Sequence, residues 1–223
     1  MIGTGSSEIL NVAGLLAGMH PGSVVCADPT YQSLLRYAEN AGSEIIRIPV
    51  TESLRPDLGA MRRAITSDTR LVYLVNPNNP VPSVIEKGEL RRFVSDVART
   101  RLVFVDEAYH EFVDDPDYES MVGLVAAGQK NLIVSRTFSK AHGLAALRIG
   151  YGVMSAEVAD MLNRVRQPFN VNALAQTAAL AAYHDAGVSR LDLRPRMAQT
   201  YARYWGRLNS FTEVEAFEVL KDG

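Results

Sequence analysis

The sequence LVYLVNPNNP at residues 71–80 joins an apolar run of strand length to a polar loop. Residues 71–75 are typical of a β-strand that is buried on both faces of a sheet. Pro77 and Pro80 donate no backbone hydrogen bond, so a central strand must end before them. The loop 76–80 is therefore stiff, and its asparagine amides offer hydrogen-bond donors and acceptors at the end of a strand. A plain turn is the alternative interpretation.

The same alternation of apolar runs and helical periodicity extends along most of the chain. Strands are predicted at residues 23–26, 44–48, 71–75, 102–105, 131–135 and 149–154, and helices at residues 8–17, 31–41, 57–65, 87–99 and 156–166. Apolar strands separated by helices predict an α/β fold, in which a largely parallel sheet is sandwiched by helices. Ligands of such sheets bind at the carboxyl ends of the strands, so we expect the chemistry in the loops that follow them.

The composition is that of an ordinary globular protein, because 47% of the residues are hydrophobic and 22% are charged. The formal net charge of −2 gives no electrostatic reason to expect nucleic acid or a membrane surface as a partner. No apolar run approaches the roughly 20 residues that span a bilayer, and the N-terminus lacks a secretory signal pattern. We therefore expect a cytoplasmic protein. The single cysteine, Cys26, and the spacing of the four histidines predict no metal site.

The chain length of 223 residues predicts one large domain and part of another. The alternating pattern gives way to an Ala- and Leu-rich helix that begins at Ala173 and breaks near Pro195. One more strand is indicated at residues 213–220. We expect residues 1–186 to form the large domain, and residues 187–223 to form a linking helix and the beginning of a small C-terminal domain.

The segment GTGSSE at residues 3–8 directly precedes an apolar helix. The free N–H groups at a helix N-terminus and the helix dipole favour an anion such as phosphate. A simple helix cap by Ser6 or Ser7 is the alternative. A dinucleotide-binding fingerprint fits poorly, because Glu8 occupies the third glycine position and no strand is predicted before the loop.

Two further loops place aromatic and acidic side chains after strands. Tyr31 could stack on a flat cofactor, although a buried packing tyrosine explains the same residue. Asp106 follows the strand at 102–105, where its carboxylate could keep a ring nitrogen protonated, with a helix cap as the alternative. Tyr109 could donate a hydrogen bond to a phenolate oxygen.

Lys140 lies just beyond the strand predicted at residues 131–135. Desolvation or a neighbouring cation would lower its pKa and free the amine for Schiff-base chemistry, whereas a surface lysine would stay a solvated charge. Arg148 suits a bidentate hold on phosphate. A surface ion pair is the alternative for this arginine.

Together these loops resemble the fold type I pyridoxal-phosphate enzymes, and most closely the histidinol-phosphate aminotransferase group within aminotransferase classes I and II. The resemblance spans nearly the whole chain to about residue 186. It is carried, in order, by GTGSSE at 3–8, PTY at 29–31, NPNNP at 76–80, DEAY at 106–109, SRTFSKAHGLAALRIGY at 135–151 and PFNVN at 168–172. The order and spacing of these motifs are more specific than any one of them.

This resemblance implies a transaminase that moves an amino group between an amino acid, or a histidinol-phosphate-like amino-alcohol phosphate, and a 2-oxo acid. Its cofactor is pyridoxal 5'-phosphate, which Lys140 would hold covalently while also transferring the proton at the substrate Cα. Asp106 would pair with the ring nitrogen, and Tyr31 would stack on the ring. The remaining implied contacts are Asn79 and Tyr109 at the ring hydroxyl, and Ser6, Ser7, Thr137, Ser139 and Arg148 at the phosphate.

The chain departs from the family pattern in one loop and in extent. Val81 and Pro82 follow NPNNP where the family usually has Thr-Gly, which leaves the path of that loop open. The resemblance also indicates a truncated chain without the N-terminal arm and most of the small domain, including the arginine that binds the substrate carboxylate. Two alternatives therefore stay open, a decarboxylase of an amino-acid phosphate and a fragment without turnover. Relatives of this kind are homodimers, and we expect the same here.

Overall fold

The computed structural model describes residues 1–184. The predicted helix break near Pro195, the strand at 213–220 and the small-domain segment 187–223 lie outside the described residues. The strands are β1 (Ile2–Gly3), β2 (Ser23–Asp28), β3 (Glu44–Pro49), β4 (Thr69–Val75), β5 (Leu102–Asp106), β6 (Leu132–Thr137) and β7 (Gly150–Met154). All six predicted strands are therefore present, with ends that differ by a few residues.

These strands form one mixed sheet in the order β1-β7-β6-β5-β4-β2-β3. The pairs from β3 through β2, β4 and β5 to β6 are parallel, whereas β7 is antiparallel to both β6 and β1. The prediction of a largely parallel α/β sheet is confirmed. Because two antiparallel pairings follow each other, β1 runs in the same direction as β2 to β6. The loop after β1 therefore lies at the carboxyl edge with the other strand ends.

The helices are α1 (Ser6–Gly18), α2 (Ser33–Asn40), α3 (Leu58–Ala64), α4 (Lys87–Val97), α5 (Val122–Ala126), α6 (Ala156–Asn163) and α7 (Ala173–His184), with single 3-10 turns at His110–Phe112 and Ala145–Leu147. The five periodic segments that predicted helices are confirmed, and α7 begins at Ala173 as expected. The sequence did not predict β1 or α5. Both are too short for periodicity to register, and the expectation that no strand precedes residues 3–8 is wrong.

Two apolar layers cover the sheet, one on each face, because successive side chains of a strand point to opposite sides. Val72, Val103 and Val134 belong to a cluster with residues of α3, α4 and α5. Tyr73 and Phe104 belong to the opposite cluster, with residues of α1, α2 and α6. This burial on both faces explains why the central strands read as continuous apolar runs.

Cys26 is buried in β2, as expected for a strand residue. Across residues 1–184, no helix is long and apolar enough to cross a membrane. The same part of the chain contains no group of three or more His, Cys, Asp or Glu residues that could hold a metal ion.

Candidate active site

A cavity of about 220 Å³ opens at the carboxyl edge of the sheet. Every residue predicted from the sequence for the site lines it: Ser6, Ser7, Tyr31, Asn79, Asp106, Tyr109, Thr137, Ser139, Lys140 and Arg148. Val75, Ala108 and Ala145 complete the lining and were not singled out, because small apolar side chains carry no chemical signal in a sequence. The structure thus brings the predicted residues together, while their individual roles remain predictions.

Asp106 is the last residue of β5 and is only 2% exposed. Burial raises the pKa of its carboxyl group to about 6, against the opposing effect of hydrogen bonds from the Ser135 hydroxyl and the backbone N–H of Ala108. Ser135 donates across 2.7 Å. Among residues 1–184 no lysine, arginine or histidine forms an ion pair with this carboxylate. Asp106 caps no helix, so the alternative interpretation is wrong.

Lys140 lines the cavity, with Nζ 5.2 Å from the centroid of the Tyr109 ring. A cation over the face of an aromatic ring is attracted by the ring quadrupole. The lysine side chain is exposed, so the desolvation expected from its position after a buried strand is not seen. β6 itself is buried, but it ends at Thr137, and the lysine follows in an open loop.

The asparagines of the loop 76–80 divide into structural and cavity-facing residues. Asn76 accepts a hydrogen bond from the backbone of Ile85, and Asn78 accepts one from the Thr30 hydroxyl. Both asparagines are buried. Asn79 instead donates to the Tyr109 hydroxyl across 3.2 Å and lines the cavity. The sequence alone could not separate these residues, since all of them follow the same strand.

Tyr31 also lines the cavity and is 38% exposed, so the alternative of a buried packing tyrosine is wrong. The hydrogen bond between Thr30 and Asn78 joins its loop to the loop 76–80. A second bond, from the Asn78 amide to the carbonyl of Pro29, strengthens the same junction. Tyr31 and Asn79 are therefore held side by side by buried polar contacts between two loops that are distant in sequence.

The N-terminus of α1 also lines the cavity, through Ser6 and Ser7. Gly5 precedes the helix with φ 73°, and no side chain caps the first turn, so a simple cap by Ser6 or Ser7 is wrong. A Cβ at Gly5 would lie 2.5 Å from Nη2 of Arg148, which shows how closely the guanidinium approaches this backbone. Arg148 also lies within 3.4 Å of the Ser139 hydroxyl. Helix amides, hydroxyl groups and a guanidinium therefore converge where an anion could bind.

A hydrogen-bonded clamp, which the sequence did not predict, holds this loop. Glu8 accepts bonds from the Thr4 backbone, at 2.7 Å, and from the Asn170 amide, at 2.5 Å. Thr4 in turn donates its hydroxyl proton to the carbonyl of Asn170. The only hint was the occurrence of Glu8 and Asn170 in separate motifs, because more than 160 residues separate them.

The arrangement offers three chemical functions within one cavity. The helix N-terminus and Arg148 can bind a phosphate-like anion. Asp106 can hold a proton on a basic nitrogen, since a buried carboxylate is stabilised by a cationic or N–H partner. Lys140 supplies a primary amine that can act as a nucleophile or exchange a proton.

Comparison with known proteins identifies relatives of this chain. The family model described as aminotransferase class I and II matches residues 1–215. Histidinol-phosphate aminotransferase from Moorella thermoacetica is 45% identical over 186 residues, which are 83% of this chain and 48% of that protein. Histidinol-phosphate aminotransferase from Methylobacillus flagellatus is 40% identical over 235 aligned residues, covering 99% of this chain and 63% of that protein.

The fold of this chain also resembles that of a solved structure. Histidinol-phosphate aminotransferase from Sinorhizobium meliloti, in complex with pyridoxal-5'-phosphate, superposes with a TM-score of 0.76 at 28% identity. The match covers 85% of this chain and 51% of that one. The chain thus spans about half the length of curated relatives that it matches, at 48% for each of two of them.

Proposed function

Since the chain belongs to the aminotransferases of class I and II, we propose that it forms the cofactor-binding part of a pyridoxal-phosphate-dependent transaminase. Its amino donor would be an amino acid or a histidinol-phosphate-like amino-alcohol phosphate, and its acceptor a 2-oxo acid. One observation carries the proposal: the residues that the resemblance assigns to the cofactor surround a single cavity. A homodimer and a cytoplasmic location belong to the same proposal.

The residues fit pyridoxal phosphate by their chemistry. Asp106 is a buried carboxylate whose pKa is raised to about 6, and a protonated ring nitrogen would stabilise its ionised form. At the other end, Gly5 leaves the first amides of α1 uncovered, and Arg148 adds a guanidinium for the phosphate. Asn79 and Tyr109 already share a hydrogen bond and would hold the ring hydroxyl oxygen together.

The bound cofactor supplies an electron-accepting ring for the electron pair that is left when the substrate Cα loses its proton. Asp106 would hold the proton on the ring nitrogen, and Ser135 donates a hydrogen bond that orients this carboxylate. Lys140 would hold the cofactor through Nζ, and the substrate amine would replace it there. The released Nζ would then take the proton from the substrate Cα and return it, as general base and general acid. Tyr31 would pack on the ring.

The test begins with absorbance of the purified protein mixed with pyridoxal phosphate, followed by borohydride reduction and peptide mapping. We expect a new absorption band and, after reduction, a stable adduct on Lys140. The Lys140→Ala variant should show neither, whereas Lys130→Ala, which removes an exposed lysine after α5, should behave as the wild type. A folded wild-type protein without a band would contradict the cofactor assignment.

Turnover separates the remaining functions. Incubation with histidinol phosphate and 2-oxoglutarate should transfer the amino group to the 2-oxo acid if the chain is a transaminase. Release of carbon dioxide from an amino-acid phosphate would instead identify a decarboxylase, because the same cofactor residues serve both reactions. An adduct on Lys140 without turnover of either kind would identify a cofactor-binding fragment.

A further inference from the structure

A buried ion pair lies next to the contact between Asp106 and Ser135. It joins Glu107, the residue after β5, to Arg136, the residue after Ser135 in β6. Glu107 is 1% exposed and accepts hydrogen bonds from Nε and Nη2 of Arg136, at 3.1 and 3.0 Å. It also accepts 2.7 Å bonds from the Ser120 hydroxyl and from the backbone N–H of Met121. The carboxylate is thus fully occupied by partners, and none of these partners lines the cavity.

The register of β5 and β6 determines which residue of β6 each of the two carboxylates, Asp106 and Glu107, contacts. Asp106 is paired with Ser135 in the parallel ladder, and Ser135 donates its hydroxyl proton to Asp106. The next residue of each segment, Glu107 and Arg136, forms the ion pair. Because adjacent side chains of extended chain point to opposite faces, Asp106 faces the cavity while Glu107 faces the segment before α5.

We propose that Glu107 and Arg136 form a positioning pair for the cofactor site, in which Arg136 fixes the ends of β5 and β6 and neutralises the charge beside Asp106. This inference rests on the proposed function. Thr137 follows Arg136 directly and Asp106 precedes Glu107, and both Thr137 and Asp106 line the cavity, so displacement of the pair would move these two residues.

The charges support this role. Burial raises the pKa of Glu107, and the charge of Arg136, together with the hydrogen bonds from Ser120 and Met121, opposes that rise. The Glu107 charge in turn raises the pKa of Asp106. A second anion next to Asp106 would favour its protonated form, which cannot hold a proton on a ring nitrogen. The other titratable groups that face the pair are Glu111, Tyr118 and Tyr151, with His110 facing Arg136.

The surface pair of Arg91 and Glu119 provides a matched contrast. It also joins an arginine to a glutamate by two hydrogen bonds, but both side chains are about 40% exposed. Exposed pairs of this kind contribute little because water screens them. Buried pairs are costly to desolvate, so a buried pair beside a reactive cavity calls for a role other than stability.

The experiment measures the dissociation constant for pyridoxal phosphate across a range of pH, using absorbance, in wild type and variants. Binding should weaken at low pH as Asp106 takes up a proton. In Arg136→Met the Glu107 carboxylate keeps its hydrogen bonds from Ser120 and Met121 but loses its counter-charge, so the midpoint of this loss should move to higher pH. Glu107→Gln keeps the size and shape of the side chain but removes its negative charge. The positive charge of Arg136 then remains near Asp106, so the midpoint of this variant should move to lower pH. Arg91→Met should leave the midpoint unchanged.

These opposite shifts distinguish an electrostatic role from general damage, which would weaken binding in the same direction in both variants. We expect roughly tenfold weaker binding by Arg136→Met near pH 6, the effect of about one pKa unit. The double variant Glu107→Gln with Arg136→Met should recover most of the binding that Arg136→Met loses. If Arg136→Met does not fold, the test rests on Glu107→Gln, whose midpoint should move to lower pH, and on the double variant, whose midpoint should stay near that of the wild type.

Unchanged midpoints in variants that fold, or shifts in the same direction, would overturn the positioning role. Circular dichroism and thermal melting check the fold of each variant. A wild-type protein that binds no pyridoxal phosphate would instead contradict the proposed function, so the two failures are distinguishable.

Discussion

Ser135 donates a 2.7 Å hydrogen bond to Asp106, and the two residues are direct partners in the parallel ladder of β5 and β6. Both side chains are buried, and Asp106 lines the cavity. The serine is therefore held in place by sheet geometry and orients the carboxylate without depending on a flexible loop. Removing this hydrogen bond tests whether Ser135 controls the pKa of the Asp106 carboxyl group.

Ser135→Ala should raise the pKa of Asp106 further, because the hydroxyl bond favours the ionised carboxylate. Loss of a buried hydrogen bond to a charged group should also cost the folded protein about 1–3 kcal/mol. The measurement is urea unfolding together with the pH dependence of pyridoxal-phosphate binding. Ser53→Ala, at an exposed turn, is the control. An unshifted binding midpoint in Ser135→Ala would show that the contact does not tune the carboxylate.

Asp106→Asn should stabilise the cofactor-free protein at neutral and alkaline pH. The pKa of Asp106 is about 6 in the folded protein and near 3.8 when unfolded, so the folded state favours the protonated form. The contribution of Asp106 to the stability of the wild type is therefore greatest at low pH, and this contribution is lost as the pH rises from about 4 through 6. The asparagine avoids that loss, which corresponds to about 2–3 kcal/mol.

Urea unfolding of the cofactor-free protein near pH 8 and near pH 4.5 checks this sign. The advantage of Asp106→Asn should be large at the higher pH and small at the lower one. Glu52→Gln, which changes an exposed carboxylate, should show no such pH-dependent difference. Equal stability of wild type and Asp106→Asn at both pH values would contradict the raised pKa.

Arg148→Gln should weaken binding of pyridoxal phosphate by roughly tenfold or more, because it removes a charge-assisted contact to phosphate. Binding of pyridoxal, which lacks the phosphate, should be nearly unchanged, and this ligand provides the internal control. Titration of both ligands by absorbance gives the two dissociation constants. Equal weakening of both would place Arg148 outside the phosphate contact and indicate a general effect on the cavity.

Asn170→Ala should loosen the segment at residues 3–8, because the Asn170 amide is one of two donors to Glu8. The expected results are a stability loss of about 1–2 kcal/mol and weaker pyridoxal-phosphate binding, with faster amide hydrogen exchange in the first turn of α1. Asn163→Ala removes an amide from the exposed end of α6 and should leave exchange in α1 unchanged. Unaltered exchange in Asn170→Ala would rule out the clamp.

Periodicity along the chain predicted all six longer strands and five helices, because near-continuous apolar runs and helical spacing are local properties of a sequence. It also placed Asp106 and Lys140 after their strands, since residues that follow parallel strands must meet at one edge of the sheet. Periodicity did not predict β1 and α5, because elements of only a few residues are too short to show a period. Pairing of Ile2 with Tyr151 arises only when distant segments meet.

The tertiary structure alone decided which polar residues share hydrogen bonds. Asn79 faces the cavity while Asn76 and Asn78 are buried, although all three lie in one loop. Glu107 and Arg136 meet because the register of β5 and β6 brings residues 29 positions apart into contact. Hydrogen bonds depend on distances and angles between side chains of different elements. Those geometries are set by packing of the whole sheet, whereas local pattern determines only where each strand begins and ends.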